Sequence, residues 1–181
     1  MTKIMTKIKK IKSLFLITKY EIIFILSNII FFVILDLISK YFAFKAKLAA
    51  YYIIPVLNFL KVKNYGMSFG LLSGHPNVAI YFIIILNIFV IFYLLNCLRA
   101  KHTYKYSYFF VFSICLILSG AIGNLFDRFY YGYVRDFIDF HIKEYHWPCF
   151  NIADMCICIG AAMFAYCEIF LKKKLPCKQK H

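Results

Sequence analysis

Acidic residues are scarce in this chain of 181 residues: eight Asp and Glu stand against 22 Lys and Arg, a formal net charge of +14. Linkers are missing too, since no Gly/Ser-rich or Pro-rich stretch and no break in composition divides the sequence. No repeat occurs beyond the doubled Met-Thr-Lys-Ile at the start, so a solenoid or tandem-domain plan is excluded and residues 1–181 are expected to form one domain. Gly66-Met67-Ser68-Phe69-Gly70 has the spelling of Gly-x-Ser-x-Gly but reads as a glycine-bearing turn, and there is no Ser-x-x-Lys motif and no His/Glu ligand pattern. Serine-hydrolase chemistry therefore has only that spelling behind it, metalloenzyme chemistry has no sequence support, and neither a metal nor another cofactor is expected. The lysines come without a basic–aromatic recognition module, so nucleic acid is not the expected partner. Seven cysteines (97, 115, 149, 156, 158, 167, 177) run against this economy, but five lie in or at the ends of apolar runs and Cys156-Ile-Cys158 lacks ligand spacing. They read as small apolar fillers, with Cys149 the one redox or ligand candidate.

What fills the chain is oil. Hydrophobic residues make up 63% and the mean hydropathy is +0.73, well above the roughly 45–50% apolar content of soluble domains. Four segments approach the ~20 apolar residues that cross a bilayer: Ile22 to Phe42, Asn77 to Leu98, Tyr106 to Phe126 and Ile152 to Leu171. The expected fold class is an all-α integral membrane protein with four transmembrane helices. The N-terminal apolar run lacks a small-x-small cleavage site and is expected to stay as an anchor. Six Lys precede the first span, three Lys and Arg lie between the second and third, and five follow the fourth. These fourteen against seven in the alternate segments put both termini in the cytoplasm. The basic segments 1–21 and 172–181 then face the inner leaflet and its anionic lipids. In the first of them, Ile4, Ile8, Ile11 and Phe15 recur at helical spacing, which fits either an amphipathic surface helix or a disordered basic tail.

Two outer loops follow from that topology. Between Ala43 and Pro76, the run Tyr51 to Leu57 is β-prone and Gly66, Gly70, Gly74 and Pro76 are turn-forming, which predicts a small strand-containing cap. Tyr130 to Phe150 is expected as a second outer loop, with Tyr145, His146 and Trp147 suited to the interfacial belt.

The same topology gathers the polar residues at one membrane edge. Asp36 and Lys40 close the first span at i,i+4 spacing, Asn124, Asp127 and Arg128 close the third, and Asp154 opens the fourth. Asn64 and Asp136 lie in the two outer loops. Each has an ordinary explanation taken singly: Asp36 with Lys40 as a packing ion pair, Asp127 with Arg128 as a local salt bridge, and the glycines after Asn64 as a turn. Asp136 and Asp154 have none, and acids at a membrane edge cost several kcal/mol unless paired or hydrated.

Together the motifs resemble those of the signal peptidase II (lipoprotein signal peptidase) family. Asp36-x-x-x-Lys40, Asn64-x-Gly66-x-Ser68-Phe69-Gly70, Gly120-x-x-Gly123-Asn124-x-x-Asp127-Arg128, Val134-x-Asp136-Phe137 and Phe150-Asn151-x-Ala153-Asp154 occur in that family's order and spacing, from about residue 22 to residue 170. The resemblance implies four transmembrane helices with an extracytoplasmic β-cradle. It also implies an aspartyl endopeptidase of the bacterial cytoplasmic membrane, working as a monomer near the extracytoplasmic face. Its substrate would be a diacylglyceryl-modified prolipoprotein, cut just before the lipidated cysteine. Asp136 and Asp154 match the catalytic pair. Asn64, Gly66, Asn124, Asp127, Arg128 and Asn151 match site-lining or supporting positions, and Asp36 and Lys40 match positions that support fold and activity. Met67 and Ser68 stand where the family often has small apolar residues, a departure that bears on the substrate groove.

Two neighbouring carboxylates supply a base for a nucleophilic water and an acid for the carbonyl oxygen, because like charges a few Å apart retain one proton between them. Ser68, in its glycine-bearing turn, Ser119 and Cys149 are nominal nucleophiles, and His141 and His146 have no evident third partner in the sequence. A small transporter using the acids as a proton relay is the alternative class. That reading expects acids at mid-bilayer and an inverted repeat, neither of which the sequence displays.

Overall fold

The computed structural model describes residues 18–47, 50–65, 76–98 and 107–172. The expectations for the segment before Thr18, for Gly66 to Gly70 and for the tail beyond Lys172 lie outside these residues.

Helix α1 (Lys19–Lys45) starts at an N-cap the hydropathy pattern does not reveal. Thr18 Oγ1 accepts from Glu21 N at 3.3 Å, and Glu21 Oε2 accepts from Thr18 N at 2.8 Å, a reciprocal capping box that satisfies two orphan donors. Along its length only Ile25, Asp36 and Lys40 are buried, while Ile22, Ile23, Leu26, Ile30, Phe31 and Ile34 are exposed. An apolar surface of that extent belongs against lipid.

Among the described residues, three helices are long and apolar enough to cross a membrane: Lys19–Lys45, Tyr108–Tyr131 and Ile152–Leu171. Helix α2 (Pro76–Cys97) has an apolar stretch from Tyr81 to Cys97 that is shorter than the other three. Helix α3 (Ser107–Tyr131) is the axis of the bundle and packs against α1, α2 and α4 (Ile152–Tyr166, continued by a π turn over Cys167–Leu171). Its span is 67% buried, against 11% for α1 and 17% for α4. Phe110, Val111, Ile114, Cys115 and Leu118 of α3 form the apolar core with Ile25, Leu94, Leu98 and Cys167. Cys115, Cys156 and Cys167 are buried free thiols, in keeping with the filler role expected of them.

The seam between α3 and α4 depends on small residues. A Cβ on Gly120 would collide with the Ala153 carbonyl, and one on Gly160 would lie 2.8 Å from Ser113 O; on the α1 side of α3, one on Gly123 would lie 2.5 Å from Asp36 Oδ2. Backbones this close need glycine at the contact. Helix α3 ends where Gly132, at φ 76°, turns the chain and sends its N–H back to Arg128 O at 3.1 Å.

Both outer loops contribute to one antiparallel sheet in the order β1 (Ala50–Ile54), β2 (Leu57–Asn64), β3 (Val134–Ile142), β4 (Tyr145–His146). The β-prone run from Tyr51 to Leu57 is thus two strands, split by a turn at Pro55–Val56 because proline cannot donate to a ladder. The second outer loop holds β3 and β4. Val134, Arg135, Asp136 and Phe137 are buried in succession, so the half of β3 that carries Asp136 has no alternating polarity, whereas Ile138 to Ile142 alternates apolar with polar residues. Pairing of Val62 with Asp136, Lys63 with Arg135 and Asn64 with Val134 lays the end of β2 beside the start of β3.

Gly120→Val is expected to force α3 from α4 and lower the melting temperature in detergent, corresponding to about 1–3 kcal/mol. An unchanged melting curve would contradict the close helix contact.

Candidate active site

Asp136 enters the site from β3, which α3 and β2 fix in place. Its Oδ2 accepts from Asn64 Nδ2 at 2.9 Å and its Oδ1 from Asn151 Nδ2 at 2.6 Å. Asp154 arrives from the first turn of α4, where Asn151 is the N-cap. Asn151 Oδ1 accepts from Asp154 N at 2.9 Å, and Asp154 Oδ2 accepts from Asn151 N at 3.2 Å. A single asparagine therefore caps the helix, orients Asp154 and touches Asp136.

Asn124 of α3 is the second bridge. Its Nδ2 donates to Asp154 Oδ1 at 2.8 Å, while its Oδ1 accepts from Asn151 Nδ2 at 3.2 Å and from Lys40 Nζ at 3.0 Å. Two donors on the oxygen side leave the amide one orientation, with its N–H groups toward Asp154. Lys40, fully buried, also meets Asp36 Oδ2 at 2.7 Å and Asp127 Oδ2 at 3.3 Å. Asp36 Oδ1 in turn accepts from Ala153 N at 2.9 Å, which fastens α1 to the start of α4.

Sequence reasoning joined Asp127 to Arg128, and the structure divides them. Asp127 is held by Arg135, whose NH2 lies 2.7 Å from Oδ1 and whose backbone N lies 3.0 Å from Oδ2. Arg128 instead donates from NH1 to Asn124 O at 3.3 Å. Arg135 was visible in the sequence only as a topology charge, since nothing linear marks its partner. Of the remaining candidates, Gly66 lies outside the described residues, and all the others fall within this one cluster or against it.

Asp136 is 2% exposed, and burial together with the charge of Asp154 pushes its carboxyl up to about 6, although Asn64 and Asn151 hydrogen bonds pull the other way. That response means the two acids sense each other. Burial also pushes the Cys149 thiol up to about 12, with Asp139 and Asp136 nearby, so it is a poor nucleophile and a poor redox group.

His146 has a partner that the sequence did not disclose: its Nδ1 lies 2.9 Å from Asp139 Oδ1, and Asn58 Nδ2 donates to Asp139 Oδ2 at 3.0 Å. Burial raises the Asp139 carboxyl, but the hydrogen bonds from His146 and Asn58 outweigh it and hold the group below its usual range. Tyr145 and Trp147 beside it are 85% and 68% exposed, as residues of an interfacial belt would be.

A mostly helical chain with three apolar spans, a small sheet and a buried polar cluster is an integral membrane protein with the makings of an enzyme. In fold it matches a bacterial membrane enzyme solved by the in meso method at 1.9 Å resolution, with a TM-score of 0.68 and 33% identity over 81% of this chain and 92% of that one. A second such enzyme, solved at 2.3 Å, gives a TM-score of 0.65 at 30% identity, over 84% of this chain and 94% of that one. The sequence model of signal peptidase (SPase) II matches residues 28–170. The chain belongs to the signal peptidase II family. Lipoprotein signal peptidases from Sulfurihydrogenibium sp. (strain YO3AOP1) and Haemophilus ducreyi (strain 35000HP / ATCC 700724) are 38% and 39% identical to it. The first alignment covers 78% of this chain and 88% of the relative, the second 77% and 86%.

Asp36→Ala leaves the Lys40 ammonium short of its nearest counter-charge and frees the Ala153 N–H. A loss of about 3–5 kcal/mol is expected, read as a lower melting temperature in detergent or lipid. Lost cleavage with an unchanged melting curve would instead give Asp36 a direct part in the reaction.

Proposed function

We propose that this signal peptidase II is an intramembrane aspartyl endopeptidase that cuts diacylglyceryl-modified bacterial prolipoproteins just before the lipidated cysteine, with Asp136 and Asp154 as its catalytic pair. The observation that carries the reading is the bridging of these two carboxylates, one buried on a strand and one at a helix N-terminus, by the side chains of Asn151 and Asn124.

Their environments support a division of roles. Asp136 suits the acid, because burial and its neighbour's charge raise it to about 6. Asp154 suits the base, at the positive end of α4 and with a backbone N–H on Oδ2. In the reaction a water attacks the scissile carbonyl and gives its proton to Asp154, while Asp136 passes its own proton to the carbonyl oxygen. When the tetrahedral intermediate collapses, Asp154 protonates the leaving nitrogen and the intermediate's hydroxyl returns a proton to Asp136. Hydrolysis is complete and the pair is back in its starting state. Asn64, Asn124 and Asn151 hold the two carboxylates in register, and the Arg128 cation offsets charge that develops beside them.

Substrate delivery follows from the surface. The exposed apolar sides of α1 and α4 keep the enzyme in lipid, where the diacylglyceryl chains of a precursor already reside; burial of such chains contributes about 0.8 kcal/mol per methylene. With α2 taken as the remaining crossing, four spans put both termini on one side, and the excess of Lys and Arg in the segments on that side favours the cytoplasm. The sheet and the acids then lie at the extracytoplasmic rim, where water is at hand. One chain carries every residue of the pair and its bridges, so a monomer suffices.

Asp136→Asn and Asp154→Asn should each slow cleavage by about two to four orders of magnitude while leaving the protein folded. Full processing by either purified variant would refute the catalytic pair. A gel-shift assay should show a lipidated precursor cut and its unlipidated counterpart left intact; equal cleavage would remove the lipid from the recognition. Because the reaction needs one proton on the pair, kcat/KM should fall as pH rises through the Asp136 value of about 6. A rate that keeps climbing well past that point would exclude Asp136 as the acid.

A further inference from the structure

Arg135 takes no part in those proton transfers, yet few charged side chains in the protein are more constrained. It is 5% exposed and spends three groups on one carboxylate: backbone N to Asp127 Oδ2 at 3.0 Å, NH2 to Oδ1 at 2.7 Å, and Nε at 3.2 and 3.3 Å from the two oxygens. Its guanidinium also lies 4.3 Å from the centre of the Tyr131 ring. Since Arg135 immediately precedes Asp136 on β3 while Asp127 belongs to α3, this grip decides where the strand, and with it Asp136, sits against the helix.

A second effect passes through Lys40. Its ammonium has three protons and three acceptors: Asp36 Oδ2 at 2.7 Å, Asn124 Oδ1 at 3.0 Å and Asp127 Oδ2 at 3.3 Å. The Asp127 contact is the longest because Arg135 already answers most of that carboxylate's charge. Without Arg135, the buried Asp127 would draw the ammonium toward itself and off Asn124, whose amide would lose the contact that aims its N–H groups at Asp154 Oδ1, 2.8 Å away.

We propose that Arg135 is a positioning residue for the peptidase reaction: from one side chain it seats Asp136 through the Asp127 grip and, by satisfying Asp127, leaves Lys40 to orient Asn124 toward Asp154. The assignment rests on the catalytic pair proposed above. The charged and polar groups that act on Asp136 are Asn64 from β2, Lys40 from α1, Arg128 from α3, and Asn151 and Asp154 from the start of α4; Asp36, Asn124 and Asp127 reach it through Lys40. Removing the Arg135 charge leaves Asp127 to be answered by Lys40 alone, so less of the Lys40 charge is felt at Asp136, which should hold its proton to higher pH.

The test compares Arg135→Lys, which keeps the charge and loses the forked grip, with Arg135→Gln, which loses both. Each is purified in detergent, and melting temperature, kcat, KM and the pH profile of kcat/KM are measured on a lipidated precursor. Arg135→Lys should lower kcat by about a hundredfold, the scale of an ångström's misplacement, with KM and the alkaline limb of the profile unmoved. Arg135→Gln should lower kcat at least as far and shift that limb to higher pH. Wild-type kcat in either folded variant overturns the proposal, and so does failure of both to fold, which would make Arg135 a structural pillar alone. If only the Gln variant fails to fold, the Lys variant decides: a reduced kcat at unchanged KM supports the proposal and an unchanged kcat ends it. Asp136→Asn, run alongside, separates the two levels: an active Asp136→Asn defeats the catalytic pair itself, whereas an inactive one beside fully active Arg135 variants defeats only the positioning role.

Discussion

A lysine ammonium shut away from water must find all its partners within the protein, and Lys40 finds three, on two helices. Taking such an ion out of water costs several kcal/mol, and well-packed apolar residues would often serve stability better. What the charge supplies is direction. Asp36 is drawn to a place where it also receives the Ala153 N–H of α4, Asp127 is centred between Lys40 and β3, and Asn124 is turned to face Asp154. Three helices and a strand are thereby registered at one rim of the bundle, where lipid-facing apolar contacts would leave them free to slide.

The two acids differ because their supports differ. Asp136 sits near the start of β3, paired with Val62 of β2, with its donors on side-chain amides, whereas Asp154 doubles as the third residue of a helix and answers its cap. A strand and a helix N-terminus are unlike electrostatic settings, so the pair is asymmetric before any substrate arrives. The division of labour proposed for them has its origin in that difference of secondary structure.

How much of this was legible in the sequence depends on the range of the interaction. Apolar spans were plain because hydropathy is local, and the ends differ by only a few residues: Ile22 to Phe42 became Lys19–Lys45, lengthened by a capping box, and the third span ran on through Asp127 and Arg128 to Tyr131. Strand β1 was half seen, since Pro55 sits inside the run that suggested it. Strand β3 was legible only in its second half, where Ile138 to Ile142 alternates; the half that carries Asp136 is buried in succession and shows no such pattern. The site residues came from motifs resembling a known family, but their wiring did not. Lys40 and Asn124 are 84 positions apart, Asn64 and Asp136 are 72, and no periodicity links them. Adjacent charges invited the pairing of Asp127 with Arg128, although neighbours on a helix point to different faces; the true partner, eight residues on, needs the Gly132 turn to bring it back.

The sheet and the cap of the last helix also govern when the enzyme can begin to act. Strand β2 is synthesised early but finds β3 only after the third span is threaded, and Asn151 and Asp154 emerge later still. On the proposed mechanism, a nascent chain lacking α4 has one acid and no bridge. Biogenesis would then act as a safety catch, since no partly inserted intermediate would hold both of the groups proposed to cut the proteins around it.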